Sequence, residues 1–142
     1  MNVAGILKLK GHDVLTLGPS STLKEAADAL THHKIGAVVV ADDDEALGIL
    51  SERDIVRAVS LGGSTAMTAP ISRYMTEKVV TCGYEDTVDQ LMEAMTSGRF
   101  RHVPVVEGGR LKGIISIGDV VKHRIAETEQ EAEAMRVYIA NG

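Results

Sequence analysis

Two Ser-x-x-Asp motifs stand at matching places in the sequence and carry the side chains with the clearest chemical potential. They are Ser51-Glu52-Arg53-Asp54 and Ser116-Ile117-Gly118-Asp119, each preceded by apolar residues and followed by a helical pattern. The pattern predicts a short buried strand that delivers a serine and an aspartate to the start of a helix. Backbone N–H groups, the positive helix end and a carboxylate can together hold a phosphate and a sugar hydroxyl. The same residues can equally form a capping box that only closes the helix, and the motif alone leaves both interpretations open.

The charges around the two motifs differ. A cation in the first helical turn, such as Arg53, opposes the helix dipole by about 0.3–1 kcal/mol, which indicates an anionic partner nearby. The alternatives are that Arg53 pairs with Glu52 or faces solvent. The second motif has Gly118 at that place, but Arg101 and His102 precede its neighbouring strand. We therefore expect two pockets with unequal affinities or different ligands.

The motifs belong to a duplicated unit. Shifted by 65 positions, residues 14–57 align with residues 79–122 without a gap, and 13 of the 44 pairs are identical. Each copy predicts a short strand, a helix with a capping box at Thr22 or Thr87, two apolar strands joined by a turn, and a second helix. A unit of about 45–60 residues is marginal as a separate core. We expect two copies related by a pseudo-twofold axis, packed through the apolar faces of their sheets around a shared cleft.

The repeat boundaries divide the chain into four parts. Residues 1–61 hold the first repeat with a short N-terminal helix, residues 62–69 a linker, residues 70–124 the second repeat, and residues 125–142 a helical tail. The Gly- and Ser-containing composition of the linker predicts flexibility. A short helix is predicted to begin at Pro70, and the corresponding residues 5–10 resemble a degraded copy of that turn.

The tail continues the second helix of the second repeat with a heptad-like stripe. Its members follow spacings of four and three: Val121, Ile125, Thr128, Ala132, Met135 and Ile139. Either this helix packs on its own module or it forms the seam of a dimer, and we favour the dimer.

Two further residues carry local predictions. Pro104 stands where the first repeat has Val39, and since proline cannot donate to a strand ladder, it predicts an edge or the start of a strand. Cys82 lies beside Thr81 on a predicted strand, where a buried, inert thiol is favoured over a redox switch.

Composition excludes several functional classes. The net charge of −5, aromatics at 3% and the absence of tryptophan disfavour nucleic-acid binding, which needs basic faces or stacking platforms. A single cysteine suits a reducing compartment, and no stretch approaches the roughly 18 apolar residues of a membrane span, so we expect a cytoplasmic protein without membrane contact. No nucleophile–base pair or metal cluster is visible, so we predict no enzyme, no catalytic cofactor and no metal.

The tandem β-α-β-β-α units, each ending in Gly-apolar-apolar-Ser-x-x-Asp, resemble the cystathionine-β-synthase (CBS) domain. The resemblance extends from about Ile6 to Arg124 and is most specific at residues 71–76, 99–106 and 113–119. It implies an α/β (α+β) fold of the stand-alone, bacterial Bateman-module type, in which two CBS repeats form a pair. Such modules bind AMP, ADP, ATP, NAD(H) or S-adenosylmethionine, and they commonly form disc-shaped homodimers.

The resemblance also implies roles for individual residues. Asp54 and Asp119 would accept hydrogen bonds from ribose hydroxyls, and Ser51 and Ser116 would donate to a phosphate. The remaining expected ligand-binding residues face the adenine or line the pockets: Thr16, Gly36, Ala37, Val38, Arg53, Val79, Thr81, Arg101, His102, Val103 and Pro104. The expected function is regulatory: the protein senses energy or redox state by binding an adenine nucleotide. A change in dimer shape then signals the bound state to an unknown protein effector. The alternative is a ligand-free scaffold.

Overall fold

The computed structural model describes residues 1–141 and has a mixed α and β architecture, as predicted. The first half contains α1 (Val3–Lys10), β1 (Thr16–Leu17), α2 (Leu23–His33), β2 (Ala37–Asp42), β3 (Glu45–Ser51) and α3 (Glu52–Gly62). Two 3-10 turns follow, at Gly63–Thr68 and Ile71–Arg73. The second half contains α4 (Val88–Gly98), β4 (His102–Glu107), β5 (Arg110–Ser116) and α5 (Ile117–Asn141).

The strand pairs of the two halves share one register. Antiparallel β2–β3 places Val40 opposite Gly48, and antiparallel β4–β5 places Val105 opposite Gly113. Each hairpin shifts register directly after that pair, so both copies carry an irregularity at the corresponding residue. The duplication read from the sequence is therefore a duplication of strand geometry.

The helices that cover these sheets begin as their capping residues predict, with one difference. Thr87 and Gln90 form a reciprocal capping box at α4. At α2 only half of the box forms: Thr22 Oγ1 accepts from the Glu25 N–H at 3.1 Å, but the Glu25 carboxylate accepts from the Thr22 hydroxyl instead of the Thr22 N–H. The buried face of each helix has the three- and four-residue spacing of an amphipathic helix: Leu23, Ala26 and Leu30 on α2, and Val88, Leu91 and Met95 on α4.

The first strand of the second repeat is reduced to a single bridge. β1 runs parallel to β2, but the expected strand around residues 79–82 pairs with β4 only through Cys82 and Val105. Pro104 accounts for this difference. Its carbonyl accepts from the Cys82 N–H at 3.0 Å, so its nitrogen faces the same neighbour and has no hydrogen to donate. Pro104 thus lies inside β4 rather than at its start. Its nitrogen faces the Cys82 segment, which pairs with β4 through a single bridge.

Each repeat receives part of its core from the segment that precedes the other repeat. Val3, Ile6 and Leu7 of α1 are fully buried in the cluster that contains Val103 and Ile115 of the second repeat. Conversely, buried Ala66 and Ile71 complete the core of the first repeat, where Tyr74 and Met75 also pack. Sequence reasoning missed this exchange, since no local pattern says against which sheet a short helix packs.

The predicted short N-terminal helix is α1, whose apolar face is buried, and residues 5–10 lie within it. The short helix predicted from Pro70 is only a 3-10 turn at Ile71–Arg73. The predicted flexible linker is largely the 3-10 turn Gly63–Thr68, because Ala66 is held in the core and the Ala69 N–H donates to the Ala66 carbonyl at 3.1 Å.

The tail helix leaves the body of the molecule. Val120 is buried near the start of α5, but every described residue from Thr128 onward is exposed. The alternative in which the tail packs on its own module is therefore wrong for this chain. No helix of the described residues is both long and apolar enough to cross a membrane.

Replacing Leu7 with alanine tests the exchanged core. Leu7 is 0% exposed and Leu9, on the same helix, is 71% exposed. We expect Leu7→Ala to lower the free energy of unfolding by about 2–5 kcal/mol, and Leu9→Ala to change it by roughly 0.5 kcal/mol or less. Urea unfolding followed by circular dichroism measures both, and equal effects would show that α1 is not part of the second core.

Candidate functional site

Both Ser-x-x-Asp motifs form complete capping interactions. Asp54 Oδ2 accepts from the Ser51 N–H at 2.9 Å and from the Ser51 hydroxyl at 3.1 Å, and the Asp54 N–H donates back to Ser51 Oγ at 3.3 Å. Asp119 and Ser116 repeat these contacts at 2.9, 3.0 and 3.2 Å. Capping is therefore one real use of these residues, and only one carboxylate oxygen of each aspartate takes part in it.

The second carboxylate oxygen remains open at both sites. Among the described residues, no hydrogen bond reaches Oδ1 of Asp54 or of Asp119, and neither atom is fully enclosed. Arg57 Nη1 approaches Asp54 Oδ1 to 3.5 Å, but its side chain is largely exposed. A carboxylate has about four lone-pair sites, so each aspartate can accept from a further donor without giving up its cap.

Each predicted pocket wall is tied to a helix start by a backbone hydrogen bond. The Glu52 N–H donates to the Gly36 carbonyl at 3.0 Å, and the Ile117 N–H donates to the Arg101 carbonyl at 2.8 Å. These bonds, with the serine caps, occupy most first-turn amides. The amides of Glu52 and Asp54 at one helix, and of Ile117 and Asp119 at the other, are therefore already occupied.

His102 stands where the two repeats meet. A Cβ atom built on Gly36 would lie 3.4 Å from His102 Cε1 and 3.3 Å from Glu52 Oε1, so glycine leaves the space that the imidazole occupies. Burial lowers the pKa of His102, and Lys10 lowers it further. Asp119 oppositely raises this pKa, as does Glu52. Groups from both helix starts thus lie near one side chain, so the two candidate sites are neighbours where the repeats meet.

The two sites differ in their cations. Lys10 Nζ donates to Asp119 Oδ2 at 2.6 Å and to the Ile114 carbonyl at 2.7 Å. Burial tends to raise the pKa of Asp119, but the hydrogen bonds from Lys10 and Ser116 together lower it below its usual value. The side chain of Asp119 is 21% exposed and that of Asp54 only 6%, so the second site is the more open one.

Lys10 is a candidate functional residue that sequence reasoning missed. It is separated from Asp119 by 109 positions, and its only local signal is a basic residue in the last turn of α1, which also suits the helix dipole.

The other predicted site residues fall into two groups. The first group has buried side chains and can offer little beyond backbone: Ala37, Val38, Val103 and Pro104. The second group is exposed or half-buried and is available to a ligand: Thr16, Gly36, Ser51, Arg53, Val79, Thr81, Arg101, His102 and Ser116. The structure brings Gly36 and His102 together, whereas Thr81 lies on an irregular segment instead of the expected strand.

Two grooves of about 620 and 410 Å³ lie beside the cleft rather than at its aspartates. The larger is bordered by Asn2 and Glu127, and the smaller lies between α2 and α3 and reaches Gly36 and Glu52. In the larger groove the buried Glu127 Oε1 is paired with the Met1 N-terminus at 2.9 Å, and neither groove is lined by Asp54 or Asp119. Among residues 1–141, no three His, Cys, Asp or Glu side chains gather as a metal site would require.

Cys82 has the environment of an unreactive thiol. It is 9% exposed, and burial, with smaller contributions from Asp86 and Glu107, raises its pKa to about 12. The thiolate is therefore scarce at neutral pH, which agrees with the predicted inert cysteine.

Taken together, the fold and the helix starts define a class: a tandem pair of β-α-β-β-α repeats, each with a Ser–Asp-capped helix start near the junction of the two repeats. The CBS domain model matches this chain twice, at residues 8–61 and 71–126. The chain belongs to the CBS domain family, as the resemblance implied.

Solved structures of CBS proteins superpose closely on the chain. A CBS-domain-containing protein from Agrobacterium tumefaciens is 56% identical with a TM-score of 0.85, covering 87% of this chain and 99% of that one. A CBS domain protein from Pyrobaculum aerophilum complexed with AMP is 27% identical with a TM-score of 0.75, covering 84% and 89%. A CBS domain pair in complex with 5′-methylthioadenosine and S-adenosyl-L-methionine is 25% identical with a TM-score of 0.79, covering 89% and 98%.

The ion pair at Asp119 predicts a pH dependence of stability. A carboxyl whose folded pKa lies below its ordinary value of 3.8 stabilises the fold above that value and loses the contribution as the pH falls through the folded pKa. We expect Asp119→Asn, whose amide oxygen can still cap α5, to be less stable than the native protein at pH 7. The difference should narrow as the pH falls from about 5 to about 2.

Urea unfolding across this pH range measures the effect. The matched control is Asp43→Asn, which removes the same charge from an exposed turn where asparagine tolerates the positive φ of 53°. A pH-independent difference between Asp119→Asn and the native protein would contradict the proposed electrostatic role of Asp119.

Proposed function

We propose that this protein is a regulatory module that binds an adenosyl ligand, such as AMP, ATP or NAD(H), in its central cleft. The observation that carries the proposal is the open Oδ1 atom of Asp54 and of Asp119, each held by a serine cap at the start of a helix. Solved relatives with AMP or with S-adenosyl-L-methionine support the choice of an adenosyl group.

The open oxygens suit ribose. A carboxylate that accepts from two neighbouring hydroxyls makes charge-assisted hydrogen bonds, which are stronger than neutral ones. The positive helix starts and the serine hydroxyls stand beside these carboxylates and suit a phosphate. Thr16 and Thr81 would face the adenine, and His102 would separate the two ligands.

Signalling requires that the ligand bind two conformations of the protein with different affinity. The cleft is built from both repeats, so a ligand there can change the angle between α3 and α5. Both helices expose apolar side chains, including Val56 (68%), Leu61 (77%) and Ile125 (53%). We propose that a second copy of the chain covers these helices and that a protein effector recognises the resulting shape of the dimer. The proposed role is binding and regulation without catalysis.

A ligand-free scaffold is the second candidate, and one observation favours it. The serine–aspartate pairs already satisfy their helix starts without a ligand. In that case the carboxylates contribute only to folding, and no adenosyl compound should stabilise the protein.

Replacing both aspartates by asparagine separates the two candidates. In Asp54→Asn/Asp119→Asn, the amide oxygen can still cap the helix, but an N–H₂ group stands where the ribose needs an acceptor. We expect the affinity for the best adenosyl ligand to fall by about 10-fold or more at each site, as for a lost charge-assisted hydrogen bond.

A thermal-shift panel of AMP, ADP, ATP, NAD, NADH and S-adenosylmethionine selects the ligand, and calorimetry measures its affinity. Asp43→Asn is the control for charge. Binding that survives the double substitution unchanged refutes the role of the aspartates, and the absence of stabilisation by every compound would support the scaffold.

Removing residues 126–142 tests the dimer. The described part of this segment carries exposed Met135 (58%), Tyr138 (76%) and Ile139 (69%), which gain burial only from another chain. We expect the truncated protein to self-associate at least about 10-fold more weakly, as roughly 1.4 kcal/mol of lost apolar burial implies. Sedimentation equilibrium measures this, and an unchanged dimer would rule out the tail as its seam.

A further inference from the structure

Lys10 connects the end of α1 to the second helix start. Its ammonium group lies 2.6 Å from Asp119 Oδ2 and 2.7 Å from the Ile114 carbonyl, and it is the third donor to that carboxylate oxygen after the N–H and hydroxyl of Ser116. The side chain is 31% exposed, so it is held in place but not enclosed. A cation therefore stands beside the carboxylate that the proposed function assigns to ribose.

At the site of Asp54, backbone groups take the place that Lys10 has at the site of Asp119. The Ile49 carbonyl, which corresponds to that of Ile114, accepts from the Thr76 N–H at 2.8 Å, and the Ile49 N–H donates to the Thr76 carbonyl at 3.0 Å. The 65-residue shift places Met75 at the position of Lys10, so the site at Asp54 has an uncharged residue there. Arg57 is the cation close to Asp54, but its contact is 3.5 Å long and its side chain is 62% exposed.

We propose that Lys10 makes the site at Asp119 selective for adenosyl ligands that carry a phosphate. This inference rests on the proposed function and adds a residue and a ligand class to it. A ribose bound at Oδ1 of Asp119 lies beside the ammonium group held at Oδ2. A phosphate on the ligand offers this cation an anionic partner, whereas uncharged adenosine offers none.

The selectivity is a difference between two ligands at one site, so it does not depend on how tightly either one binds. A charge-assisted hydrogen bond between the lysine and a phosphate corresponds to about 10-fold in affinity. The site at Asp54 should lack this particular discrimination, because it has Met75 where the other site has Lys10.

The test compares AMP with adenosine in the native protein and in Lys10→Met, which copies the residue at the site of Asp54. Amide signals of Ser51 and Ser116 in ¹H–¹⁵N NMR titrations report the two sites separately, because both amides donate to the site aspartates. We expect Lys10→Met to reduce the ratio of AMP to adenosine affinity at Ser116 by about 10-fold and to leave the ratio at Ser51 unchanged.

Two further variants exclude a loss caused by folding or by net charge. Lys8→Met removes the same charge from an exposed position on α1 and should behave as the native protein. Lys10→Arg keeps the cation and should keep the preference for AMP.

The outcomes distinguish this inference from the function on which it rests. An unchanged AMP-to-adenosine ratio in Lys10→Met, or the same loss in Lys8→Met, overturns the role of Lys10 while adenosyl binding stands. Absence of binding by AMP and adenosine to every variant and to the native protein overturns both.

Discussion

The exchange of preceding segments between the repeats is the constraint on which this structure depends. A repeat of this size buries too little apolar surface to hold a sheet and two helices by itself. Here the apolar face of α1 closes the second core, and residues 66–75 close the first. Neither core is complete without chain from outside its own repeat. Packing therefore links the two halves, and the two helix starts meet where the halves join.

The same exchange sets the chemistry of the cleft. Because α1 ends at the second helix start, it delivers Lys10 to Asp119. The segment that follows Ile71 instead delivers the backbone of Thr76 to Ile49. Two sites that began as copies thus differ most where another part of the chain reaches them. An internal duplication keeps what each unit needs to fold, while the contacts between units are free to diverge.

Capping and ligand binding are compatible uses of one aspartate. The serine cap engages a single carboxylate oxygen and orients the group, so the second oxygen takes no part in the cap. A group that is already ordered loses little conformational entropy when a ligand binds. The serine cap can therefore close the helix and also hold the aspartate in the orientation that ligand binding requires.

The sequence by itself determined the repeat, the order of elements, the buried helix faces and the serine–aspartate caps. These are local properties: apolar periodicity and capping residues act within a few positions of each other, and the alignment of the two halves makes each pattern visible twice. It did not determine the single bridge at Cys82, which follows from how Pro104 is oriented against its neighbour. Nor did it determine the path of α1, the ordered turn at Ala66 or the ion pair of Lys10 with Asp119. Those depend on which surfaces meet across the pseudo-twofold axis, and only tertiary packing brings residues so distant in sequence within hydrogen-bonding distance.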